Sequence, residues 1–102
     1  MSARPLFIPL KGKHYDAFAR GEKTVEMRRF GLRWNSRTCA PGREVILSRG
    51  YGKEQRLRGT ITQLTVARGR ALDAAEQAAM LECYGTTDMA VCLIHIKLRE
   101  AA

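Results

Sequence analysis

Apolar and polar positions alternate with a period of two over several stretches of this chain and with a period near 3.6 over two others. LFIPLK (6–11) reads as a short strand, and its proline suits an edge or a first strand. Residues 13–20 read as a helix, with Tyr15, Phe18 and Ala19 on one face and Gly21 as a left-handed terminator. Residues 24–30 read as the next strand. Val25 and Met27 are expected to point into the core, and Thr24, Glu26 and Arg28 to point the other way. GLRWNSRTCAPG (31–42) is a loop, and REVILS (43–48) is a strand whose Val45-Ile46-Leu47 run implies burial on both faces.

A glycine-flanked connection, SRGYGKEQ (48–55), leads into a long strand, RLRGTITQLTV (56–66). Its apolar phase runs Leu57, Ile61, then Leu64, Val66. That slip of one near Gln63 predicts a bulge or sharp bend. Residues 73–84 form the second helix. Asp73 and Glu76 have capping-box spacing, Leu72, Ala75, Ala79 and Cys83 share a face, and Gly85 ends it. MAVCLIHIKLR (89–99) is the last strand, buried on both sides in its first half only. The order predicts a small α+β domain on a partly closed β-barrel of about five to six strands with two short helices. A flat sheet with both helices on one face is the alternative.

Composition narrows the class. With 102 residues there is room for one core, so residues 1–102 are expected to form one domain. No apolar run approaches the roughly 20 residues that span a bilayer, and MSARPLFIPLKGK does not read as a signal peptide. Cys39, Cys83 and Cys92 are odd in number and contain no C-x-x-C pair, so buried free thiols in a cytoplasmic protein are expected. The spacing of these cysteines with His14 and His95 matches no ligand pattern. Neither a metal nor another cofactor is expected.

Charge changes the picture more. The net charge is +8, but residues 20–70 alone carry +9, against +2 for residues 1–19 and −3 for residues 71–102. Thirteen of the eighteen cations are arginine, whose planar fork matches phosphate and stacks on bases. Such a distribution points to a polyanion, most simply nucleic acid. A basic, soluble surface without a specific partner gives the same numbers.

Within that basic stretch lies GEKTVEMR (21–28), with Glu26 and Arg28 on one strand face and Lys23 just ahead. Spacing alone is compatible with cross-strand ion pairs on an exposed surface, worth under about 1 kcal/mol. The stretch also resembles the G-x-K-x-x-E-x-R signature of the ASCH domain family, whose fold is a PUA-like barrel. An opening strand ending near Lys11, the helix HYDAFARG and the glycine-led strand PGREV resemble that family in the same order. The resemblance implies a barrel cleft that binds RNA, single-stranded or structured, or a nucleotide-like small molecule. Lys23 would face a phosphate or a polar base edge. Glu26 would accept from a base amino group or orient Lys23, and Arg28 would pair with Glu26 or contact the ligand. Lys11, Trp34, Arg49, Tyr51 and Lys53 stand as further binding candidates, the two aromatics because bases stack on rings among cations. A lone Trp is equally a core residue. A monomer is expected, with no membrane partner.

An enzyme remains the competing class. Some ASCH-like proteins resemble amidohydrolases that deacylate N4-acetylcytidine, combining the motif lysine, a threonine three residues on and a distal glutamate. Here that position is Glu26 and the threonine is offset to Thr24, so the catalytic set would be Lys23, Thr24, Glu26 and Glu82. RNA cleavage would instead draw on His14 and Tyr51. A third class, a module meeting an acidic protein partner, shares the basic surface.

Overall fold

A computed structural model describes residues 4–99; residues 1–3 and 100–102, which the single-domain expectation includes, lie outside the described residues. The elements are β1 (Leu6–Leu10), α1 (Gly12–Ala19), β2 (Val25–Arg29), β3 (Glu44–Arg49), β4 (Arg56–Arg68), a 3-10 turn (Gly69–Ala71), α2 (Ala74–Tyr84) and β5 (Ala90–Leu98). Their order and kinds follow the sequence pattern, with the 3-10 turn as an addition. The five strands form one sheet in the order β1-β3-β4-β5-β2, parallel between β1 and β3 and antiparallel elsewhere. The sheet curls into a partly closed barrel rather than lying flat, and β1 and β2 are its two edges.

The expected irregularity in β4 is a bulge. Ile61 pairs with Ile96 and Gln63 with His95, leaving Thr62 as the extra residue. Because side chains alternate, one extra residue restores the apolar phase: Leu57 and Ile61 before it and Leu64 after it all reach the core side. Val66 continues that phase yet is 45% exposed, near the strand's end. The core joins Ile8, Val45, Leu47, Ile61, Cys92, Ile94 and Ile96 of the sheet to Tyr15 and Phe18 of α1 and to Trp34 and Cys39 of the loop.

Burial corrects four expectations. Ile46 is half-buried, so β3 is covered on one face more fully than the other. Ala19 is exposed at the end of α1. On α2, Ala75, Ala79 and Cys83 are exposed, and Met80 is the residue that is fully buried. Alanines offer little area to drive docking, whereas a methionine reaches into the space left by Gly69, where a Cβ would stand 2.5 Å from the Met80 sulfur. Cys83 is therefore an exposed thiol, while Cys39 and Cys92 are buried as expected. Burial raises the Cys92 thiol to about 11, which keeps it protonated and inert.

The fourth correction concerns β2. Glu26 pairs with Ile94 and Arg28 with Cys92, so these charged residues share the core face of the sheet. Glu26 is the most buried residue of its strand, at 6% exposure, while Val25 and Met27 on the opposite face are only half-buried. Alternation separates two faces without saying which lies inside. Here the inner face belongs to the last strand before the barrel's open seam, where an interior side chain can keep its polar end in a cleft.

Candidate functional site

The site begins at the end of α1. Gly21, at φ 77, takes the left-handed conformation that glycine adopts without a Cβ penalty. The Gly21 N–H then donates to the Phe18 carbonyl, and the Glu22 N–H to the Ala17 carbonyl, the paired bonds of a Schellman cap. The Lys23 N–H donates to Ala17 as well, so the lysine backbone is tied to the helix. Its ammonium lies 5.6 Å from the Phe18 ring centre and turns toward β2.

There Lys23 Nζ lies 3.0 Å from Glu26 Oε1 and 3.1 Å from His14 Nδ1. The other oxygen of Glu26 accepts from Arg28, through Nε at 2.9 Å and Nη2 at 2.8 Å. A carboxylate this buried needs such charge-assisted bonds to offset its desolvation. Arg28 Nη2 also donates to the Pro9 carbonyl at 2.6 Å, and the guanidinium carbon sits 4.8 Å from the Trp34 ring centre. That bond has an architectural consequence. Pro9 lies on one edge strand and Arg28 on the other, so a side chain spans the seam between them. Proline and charge on facing edges are devices that discourage strand pairing.

The unpaired seam opens a pocket of about 480 Å³. Its walls are Pro9, Leu10 and Lys11 at the end of β1, Lys13 and His14 of α1, Lys23, and Glu26 to Arg28 of β2. Ala79, Glu82, Cys83 and Tyr84 of α2 complete it. Lys13 and Glu82, 3.2 Å apart, tie the two helices across it. Burial, with the Lys23 charge next, lowers the pKa of His14 below its ordinary value. Burial raises that of the Tyr84 phenol.

The candidates separate cleanly. Lys11, Lys23, Glu26, Arg28 and Glu82 line one pocket. Trp34 is a core residue, 9% exposed, that supports Arg28 from behind and offers no free stacking face. Arg49 pairs with Asp16 at 3.4 Å beside α1. Tyr51 and Lys53 are exposed in the β3–β4 connection; Tyr51 packs against Phe7 and neither residue lines the pocket. Thr24 is exposed and lines a separate apolar hollow with Phe18, Ile96 and Leu98. His14 reaches the pocket and Tyr51 does not, so the two are not brought together for RNA cleavage. Glu26 is engaged at both oxygens, by Lys23 on one and by Arg28 on the other.

Lys13 and Tyr84 were not legible as site residues. Lys13 follows Lys11 at the entry to α1 and could have been suspected for that reason; Tyr84 arrives only because α2 ends beside β2. Among the described residues no cluster of three or more metal-ligating side chains occurs, and no helix is long and apolar enough to cross a membrane.

No protein-family model matches the chain, and no curated protein matches it in sequence. Its fold is similar to that in the crystal structure of a hypothetical protein, PH0355, with a TM-score of 0.66 at 14% identity, over 94% of this chain and 100% of that one. That likeness supports the small barrel and is silent on activity.

Proposed function

We propose that this chain is an ASCH-type, PUA-like domain that binds RNA or a nucleotide-like ligand in the seam pocket. The observation that carries the reading is the convergence of the motif residues. Lys23, Glu26 and Arg28 come from one eight-residue stretch and meet in the wall of a pocket large enough for a nucleotide. Of the roles the resemblance implies, the ion pairs favour the orienting one for Glu26. Lys23 and Arg28 face the ligand, and Glu26 holds both in position from behind. The surplus of arginine over residues 20–70 supplies a long-range field that draws a polyanion toward the cleft. We place this activity in the cytoplasm, because all three cysteines are unpaired, and assign it to a monomer.

Fluorescence anisotropy of a labelled single-stranded RNA, titrated with wild type and with Lys23→Ala at low and near-physiological salt, tests the reading. The expected result is salt-dependent binding that Lys23→Ala weakens by more than one surface charge accounts for. Undiminished binding in the variant would remove the pocket from the reading.

The hydrolase alternative draws support from Glu82, which reaches the same pocket as Lys23. It lacks its hydroxyl there, since Thr24 lines the other hollow. Incubation with N4-acetylcytidine, followed for release of acetate, separates the two: turnover of the free nucleoside would favour the enzyme.

A further inference from the structure

We infer that the pocket is built for a phosphomonoester dianion, the terminal phosphate of an RNA end or of a free nucleotide, held among Lys11, Lys13, Lys23 and Arg28. This deepens the RNA- or nucleotide-binding reading and rests on it.

The hydrogen-bonding inventory of the walls is the first argument. Glu26 Oε1 accepts from Lys23 and Oε2 from Arg28, and Glu82 accepts from Lys13 through Oε1. Donors remain in surplus. An ammonium has three N–H groups and no lone pair, so Lys23, bonded to Glu26 and to His14, keeps one to give. For the same reason His14 Nδ1 must be the acceptor in its bond with Lys23, which leaves the ring proton on Nε2 as another donor. Among the described residues Arg28 Nη1 makes no hydrogen bond. A base edge mixes donors with acceptors and would use these donors only in part. A phosphate offers acceptors only.

Charge is the second argument. Four cations and two carboxylates line the pocket, a net of +2 with His14 neutral. An internal phosphodiester carries one negative charge and would leave half of that uncompensated. A phosphomonoester carries about −1.5 to −2 near pH 7 and closes the balance. Rigidity is the third. Arg28 is fixed by Glu26, by the Pro9 carbonyl and by the Trp34 ring, so one donor is ordered before any ligand arrives, while Lys11 and Lys13 at the exposed rim can fold over it. The volume of about 480 Å³ leaves room beyond the phosphate for a sugar and a base.

Calorimetric titration with one RNA oligomer bearing a 5′-phosphate, a 3′-phosphate or only hydroxyl ends tests this. A nucleoside monophosphate serves as a second probe. One terminal phosphate is expected to tighten binding by about tenfold or more. That gain should disappear in the Lys11→Ala, Lys13→Ala double variant, whose two sites are exposed and whose melting temperature should stay near wild type. Competition by the free monophosphate at the oligomer's affinity would identify a nucleotide as the source, and selective binding of the oligomer an RNA end. Equal affinity for phosphate and hydroxyl ends would overturn the dianion assignment while leaving RNA binding intact. A phosphate gain that survives in the double variant would overturn it too. Failure to bind any RNA or nucleotide would overturn the underlying reading as well.

Discussion

The two helices begin in opposite ways. At α2, Asp73 accepts from the Glu76 N–H at 2.7 Å and the Asp73 N–H donates in return to Glu76 Oε1 at 3.2 Å, a complete capping box with an acid in the first turn. At α1, the cap position is Lys11, which makes no side-chain cap, and the first turn carries no acid. Cations at the positive end of a helix are locally unfavourable, by a few tenths of a kcal/mol up to about 1 kcal/mol each. Both helices end on a left-handed glycine, Gly21 and Gly85, so the contrast is confined to their starts. The lesson is that α2 satisfies its own ends while α1 gives up local stability for a row of lysines at the pocket rim. Conflict between local rules and observed sequence gathers where ligand contact is proposed.

The largest expected effect comes from removing what holds that rim together. Arg28→Ala leaves buried Glu26 with one partner and the seam without its bridge, and should cost about 3 kcal/mol of stability, measured by chemical denaturation. A loss below about 1 kcal/mol, the range of exposed pairs, would place the pair on the surface and end the argument for a built pocket.

A matched pair of glycine variants is next. Gly21→Ala and Gly85→Ala each force an alanine into left-handed backbone and should each lose about 1 kcal/mol. Only Gly21→Ala should also weaken RNA binding, because Lys23 hangs from the same cap. Equal binding by both variants would dissolve the link between the α1 terminus and the site.

Smaller effects sharpen the contrast between helix starts. Asp73→Ala should destabilise by about 1 kcal/mol with RNA affinity unchanged. Lys11→Asp should do the reverse, adding about half a kcal/mol of stability through a new cap while weakening binding. Thermal melts and anisotropy on the two variants decide this. If Lys11→Asp binds as well as wild type, the uncapped start of α1 has no functional meaning.

The smallest effect is on pH dependence. His14 has its pKa lowered from 6.5, chiefly by burial and then by Lys23. Between its folded and unfolded values the unfolded chain binds more protons, so stability rises with pH there. The contribution is fully present above about pH 6.5 and is lost as pH falls through the lower folded value. His14→Gln should flatten that part of a stability–pH profile, and an unchanged slope would assign it to another group.

Local chemistry determined much of this protein without help from the fold. The apolar periods named every strand and both helices, the slip near Gln63 announced the Thr62 bulge, and Asp73 with Glu76 announced the capping box. These features depend on neighbours a few residues away, which a sequence displays directly. GEKTVEMR likewise held its own trio, because residues at i, i+3 and i+5 meet once a helix cap hands the chain to a strand. Tertiary structure decided the rest. Which face of β2 is interior depends on how far the sheet curls, and that put Glu26 inside and Met27 outside, against the pattern. Whether Trp34 stacks on a ligand or supports Arg28 depends on where a twelve-residue loop packs. The pocket itself exists because the two edge strands, at opposite ends of the sheet order, meet without pairing, and Lys13, Glu82 and Tyr84 join it only through that closure. Periodicity carries no information about such contacts, since they are set by the shape of the closed sheet.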